Sequence, residues 1–140
     1  MKYFVCTLNN IQIGIMAHKT EKIIQSIHTM NCAFETQTTN NGELEIFVSL
    51  PALFLLKDTI TPHTVVLKTC AISSLDQKVK IFLLTTRIEN EVEIPEESIH
   101  PLPLALADLY GYSKGIYFTN EAAENMILIL NIEKFFEKLP

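Results

Sequence analysis

A chain of 140 residues, 48% of them hydrophobic, suits one domain with an ample core. Its net charge of −5 and its single arginine, Arg87, leave no basic stripe for phosphate, which sets nucleic acid aside. No apolar run reaches the roughly 18 residues that span a bilayer, so no helical membrane insertion is expected. Cys6, Cys32 and Cys70 are odd in number, widely spaced and never at a Cys-x-x-Cys distance; they read as buried thiols, not as a disulfide framework. Met1 to Cys6 goes straight into alternation, with no secretory signal pattern, so a cytoplasmic location is the expectation.

In chain order, Tyr3 to Leu8 and Ile11 to Met16 alternate as two strands joined across Asn9-Asn10. Ile11, Ile13 and Ile15 share one face, Gln12 and Gly14 the other, and Gly14 leaves room for another element to approach. Thr20 reads as the cap of a short helix, Glu21 to Ser26, burying Ile23, Ile24 and Ile27, with a strand starting within Ile27 to Cys32. Phe34, Thr36 and Thr38, then Leu44, Ile46, Val48 and Leu50, alternate on either side of Asn40-Asn41-Gly42, the strongest turn signal in the chain. The Leu44/Ile46/Val48 face is the expected core face and Phe47 lies opposite. Ser49 caps a second short helix reaching Leu55, with Pro51 early, where a missing amide costs little.

Lys57 to His63 reads as a loop, Thr64 to Ile72 as a β-branched strand and Ser73 to Gln77 as a turn. Val79, Ile81, Leu83 and Thr85 alternate with Lys80, Phe82 and Leu84; both faces are apolar, as inside a sandwich or barrel. Arg87 to Ile94 places Glu89, Glu91 and Glu93 on one side, a solvated face by the period of two. Pro101 to Tyr112 is a loop. Gly115 to Thr119 and Met126 to Leu130 are strands around a polar turn, Asn120 to Asn125. Asn131 caps a terminal helix reaching Leu139, with Ile132, Phe135, Phe136 and Leu139 on one face. Ile46 to Phe54 lines up with Leu128 to Phe136: apolar strand, capping residue, helical turn. Two similar half-barrels or a coincidence of two strand ends both fit that pattern.

Catalytic constellations are missing from the sequence. His18, His28, His63 and His100 lack His-x-x-x-His spacing, no Gly-x-Ser-x-Gly occurs, and four glycines assemble no phosphate loop. Paired carboxylates occur only in the run Glu89 to Glu97. No catalytic, cofactor-binding or metal-ligating residue is assigned, and a non-enzymatic binding module is the expectation. Residues 71–140 hold six Lys/Arg against eleven Asp/Glu and so carry the whole net charge; that excess is a solvated face or a means of steering a basic partner.

The residues Ile94-Pro95-Glu96-Glu97-Ser98-Ile99, Gly115-Ile116 and Leu130-Asn131-Ile132-Glu133-Lys134-Phe135, in that order, resemble the end of the CheW-like domain family, and the likeness extends over Tyr3 to Leu139. The resemblance implies an all-β fold with short helices, built as two intertwined five-stranded SH3-like barrels within residues 1–140, with the halves meeting near 56–64. It also implies a non-enzymatic cytoplasmic adaptor of bacterial chemotaxis without cofactor. Its partners would be a CheA-type histidine kinase, methyl-accepting chemoreceptors and other CheW-like domains.

The chain departs from the family where an Asn-Leu-Arg-Gly motif is usual: here it is Thr39-Asn40-Asn41-Gly42, so Asn41 stands in place of the arginine, and the segment between Met30 and Thr39 is shortened. The expected partner-binding residues are Ile13, Ile15, Asn41, Gly42 and Phe47. A regulatory or ligand-sensing β-domain that no longer couples receptors is the alternative function.

Overall fold

The computed structural model describes residues 1–9, 11–28, 30, 32–54, 61–68, 70–72, 77–103, 111–119 and 126–134. They form two compact units: unit 1 is Met1–His18 with Ile88–Pro140, and unit 2 is Lys19–Arg87. The division falls there because, among the described residues, the strands between Lys19 and Arg87 pair only with one another.

Unit 1 holds β1 (Lys2–Leu8), β2 (Ile11–Met16), β9 (Ile88–Glu93), β10 (Ser113–Phe118) and β11 (Met126–Leu130), in the sheet order β10-β11-β2-β1-β9. The β1–β2 hairpin runs in register from Tyr3↔Met16 to Leu8↔Ile11, and Asn9 takes φ 59° at its turn, a conformation Asn tolerates better than other residues with a Cβ. β11 lies parallel to β2. Gly14 sits where the Ile127 and Ile129 side chains cross: an added Cβ would lie 3.1 Å from Ile127 Cγ2 and 3.2 Å from Ile129 Cδ1. Tyr3, Val5, Ile94, Ile127 and Ile129 make a buried cluster on that face, with Met16, Val92, Ile99 and Tyr117 packed around it. Burial of each large aliphatic group contributes about 1.5–3 kcal/mol. The hydroxyl of Ser113 lies 3.0 Å from Gly115 O and 3.1 Å from Ile129 O, so it serves carbonyls at a register shift between β10 and β11.

After β9 the chain makes one 3₁₀ turn, Glu96–Ser98, and returns to the sheet. His100 bridges antiparallel to Ile116, each N–H donating to the other's carbonyl at 2.8 Å. The outer edge of β10 is thereby occupied. Glu89, Glu91 and Glu93 are exposed, as the solvated-face reading requires. Glu133 and Lys134 begin a helix after Asn131. The expected continuation, with Phe135, Phe136 and Leu139, lies outside the described residues, as does the turn Asn120 to Asn125.

Unit 2 holds β3 (Thr20–His28), β4 (Phe34–Thr38), β5 (Leu44–Ser49), α1 (Leu50–Leu53), β6 (Thr61–Leu67), β7 (Cys70–Ile72) and β8 (Gln77–Thr85). Its sheet order is β3-β6-β8-β5-β4, with β7 pairing β8 off that path. β5 runs parallel to β8 and the other pairs are antiparallel. Ile46, Val48, Val65, Val79, Ile81 and Leu83 are buried, whereas Leu44 of the expected core face is only half-buried. Ser49 Oγ accepts from the Ala52 N–H at 3.3 Å, the expected cap of α1.

Three expectations fail in unit 2. The helix expected over Glu21 to Ser26 is the strand β3: its β-branched Ile23 and Ile24 pair with Val65 and Thr64 of β6, and this ladder outweighs the cap signal at Thr20. The loop Lys57 to His63 already becomes strand at Thr61. Pro62 is tolerated because the β3–β6 register skips from His63↔Gln25 to Thr61↔His28 and asks no ladder amide of it. The strand expected from Thr64 to Ile72 divides at Lys68, whose N–H turns to Lys19 O at 2.9 Å.

Candidate partner-binding surface

The structure brings three of the five expected partner residues onto one hairpin. β4 and β5 pair without a register shift from Phe34↔Val48 to Thr38↔Leu44. Their turn is closed by Gly42 N–H donating to Thr39 O (3.0 Å), Thr39 N–H to Glu43 O (2.9 Å) and Glu43 N–H to Thr39 Oγ1 (3.1 Å). Gly42 has φ +81°, which a side chain at this position would disfavour. Asn41 and Gly42 are exposed at the tip.

Phe47 lies on the side of the hairpin opposite Ile46 and Val48. It is half-buried and stacks on Phe82 of β8, with ring centroids 4.8 Å apart and planes inclined by 12°. The parallel β5–β8 register sets Phe47 against Phe82 and Glu45 against Lys80. Gln37 Nε2 donates to Glu45 Oε1 at 2.6 Å, and Lys80 Nζ lies 2.8 Å from Glu21 Oε2. The hydrogen bond from Lys80 holds the Glu21 carboxyl below the ordinary carboxylate range, with the nearby lysine charges adding to it. The result is an aromatic pair framed by polar and charged groups on one sheet face, the composition of a protein-docking patch.

Ile13 and Ile15 do not reach a surface. Both are fully buried, because β2 is covered on both faces and the face opposite Gly14 is core as well. They therefore cannot serve as exposed anchors. Phe82 was not foreseen as a site residue. Its alternation with Ile81 and Leu83 was visible, but its pairing with Phe47 depends on a parallel register between strands distant in sequence. Among the described residues, no three His, Cys, Asp or Glu side chains come together as a metal site. No helix among them is long and apolar enough to cross a membrane.

Each of the two sheets has a single parallel step among its described strands, and the chain is mainly β with a CheW-like fold. A scan against protein-family models and a search of curated proteins return no match. Among solved structures, the chain is similar to the crystal structure of the scaffolding protein TtCheW from Thermoanaerobacter tengcongensis, with a TM-score of 0.64 and 18% identity, covering 94% of this chain and 84% of that one.

Proposed function

We propose that this chain is a non-enzymatic, cytoplasmic adaptor of a chemotaxis pathway that binds the regulatory domain of a CheA-type histidine kinase. The observation that carries this reading is the likeness to a scaffolding protein over 94% of the chain, spanning both units. The Phe47–Phe82 patch supplies an apolar anchor of the kind that dominates protein interfaces. Methyl-accepting chemoreceptors and other CheW-like domains are the remaining partners of the resembling family. Coupling to receptors is weak in this reading, because Asn41 stands where that family carries arginine, and an amide makes no charged bidentate contact. The same substitution favours, as second reading, a regulatory or ligand-sensing β-domain without receptor coupling.

Calorimetric titration against a kinase regulatory domain and, separately, a receptor-tip fragment tests both readings. Binding to the first, weakened by about 2 kcal/mol or more in Phe47→Ala, and weak binding to the second are expected. No kinase binding would remove the adaptor reading. Tight receptor binding unchanged by Asn41→Ala would show that the hairpin tip is not the determinant.

A further inference from the structure

An asparagine side chain carries an electrophilic carbon within reach of the next residue's backbone nitrogen. Attack there closes a small ring, and two groups held on one chain react at a high effective concentration. A Cβ on the following residue crowds that approach, whereas glycine leaves it open. Of the asparagines in the sequence, Asn41 alone is followed by glycine.

The fold presents this pair where the ring can close. Asn41 and Gly42 are both exposed at the tip of the β4–β5 hairpin. Nothing stands within 4 Å of the point that a Cβ on Gly42 would occupy. Gly42 N–H donates to Thr39 O at 3.0 Å, so that bond must open before the nitrogen can attack. The bonds that fix the strand register lie on either side of the 40–42 tip. Thr39 N–H donates to Glu43 O, Glu43 N–H donates to Thr39 Oγ1, and the ladder runs unbroken from Thr38↔Leu44. The tip can therefore open while the hairpin stays paired. Asn40 shares the exposed tip but precedes Asn41, and Asn90 is paired to Val5 within a sheet and precedes Glu91.

We propose that Asn41 is a modification site at which the chain deamidates itself. The Gly42 nitrogen gives its proton to a base in solution and bonds to Asn41 Cγ. The Cγ–Nδ2 bond breaks, Nδ2 takes a proton from water, and ammonia leaves a succinimide. One water then adds to either ring carbonyl and breaks that carbonyl's bond to the Gly42 nitrogen. Opening at Cγ leaves an aspartyl residue. Opening at the main-chain carbonyl leaves an isoaspartyl residue, whose backbone runs through the side-chain carbons and gains one methylene. That methylene falls inside the 40–42 tip, so the β4–β5 register survives. Either product puts a carboxylate where an amide stood and adds one negative charge to the formal −5. Under the adaptor reading, on which this consequence but not the conversion rests, the age of the molecule sets the charge at an expected partner contact.

Incubation of the full chain at mildly alkaline pH, folded and in parallel unfolded in guanidinium chloride, tests this. Electron-transfer fragmentation of the tryptic peptide 23–57 places any conversion at Asn31, Asn40 or Asn41 and tells aspartyl from isoaspartyl. Conversion should concentrate at Asn41, yield both products and slow at mildly acidic pH. The folded chain should convert at most about tenfold more slowly than the unfolded one, the factor that one turn hydrogen bond represents. The far-UV circular dichroism spectrum should stay that of the parent. Asn41→Ser, which suits an exposed turn, should abolish the new acidic species on anion exchange. Conversion at Asn41 in the folded chain slower than that factor allows, conversion at Asn40 equally fast, or an acidic species that persists in Asn41→Ser overturns the proposal.

Discussion

Gly115→Ala is the sharpest probe of how unit 1 closes. A Cβ at this position would lie 2.6 Å from His100 O and 2.6 Å from Ile99 Cγ2, against about 3.4 Å for an ordinary contact. The 99–100 backbone must retreat by about 0.8 Å, and it carries both 2.8 Å hydrogen bonds of the His100–Ile116 bridge. Loss of those bonds costs about 1 kcal/mol each, and the steric strain adds about 1–3 kcal/mol. Reduced freedom of the unfolded chain returns about 0.4–1 kcal/mol. The expected net destabilisation is therefore about 2–5 kcal/mol. Urea unfolding followed by far-UV circular dichroism reads it as a lower midpoint at unchanged slope. Gly14→Ala is the internal comparison. Its Cβ would meet only the side-chain atoms Ile127 Cγ2 and Ile129 Cδ1, at 3.1 and 3.2 Å, which rotate away more cheaply than backbone. If Gly115→Ala stays within about 1 kcal/mol of the parent, or costs less than Gly14→Ala, the bridge does not close the sheet as argued.

Two further outcomes follow from ionisable groups. Tyr3 is fully buried and its hydroxyl has no hydrogen-bond partner among the described residues; burial, and then the Glu96 carboxylate, raise its pKa above 10.0. Tyr3→Phe removes the unpaired hydroxyl at little change of shape, so stability should be kept or raised by about 1 kcal/mol. The parent should also lose stability as pH climbs past the tyrosine's unfolded value, because the unfolded chain ionises there first, and Tyr3→Phe should lack that part of the loss in thermal melts. Glu21 behaves in the opposite sense. Its carboxyl is held below 4.5, so the Lys80 pair stabilises above that pH and is lost as pH falls through the lowered value. The gap in melting temperature between parent and Glu21→Gln should be present near neutrality and vanish in acid, and a gap independent of pH would show that the pair is not its source.

Much of the architecture was legible where one strand is read by itself. The alternation of Ile11 to Met16 and Val79 to Thr85, the turn at Asn40-Asn41-Gly42, the Ser49 cap and the close approach at Gly14 all depend on neighbours in sequence. The likeness between Ile46–Phe54 and Leu128–Phe136 reflects a shared place in the two sheets, since β5 and β11 are each the second strand of a hairpin and each run parallel to a neighbour. What stayed hidden depends on partners far along the chain. Ile23, Ile24 and Ile27 fit a helix face as well as a strand, and only β6 decides between them. Ile13 and Ile15 were placed at a surface because nothing local says that both faces of β2 are covered. Phe47 could be set on the outer face from its period, but Phe82 could not be joined to it without the register.

The parallel pairing of β2 with β11 has a consequence for biosynthesis. After Met16 leaves the ribosome, 109 residues, 17–125, are made before Met126 begins the strand that covers Gly14. At about 5–20 residues per second the first hairpin waits on the order of 10 s with apolar groups bare on one side, while the whole of residues 19–87 emerges and can pair within itself. The nascent chain thus carries a finished inner sheet between two unfinished pieces of the other. Chaperone demand should peak in that interval, on Tyr3, Val5 and their neighbours and not on the later strands.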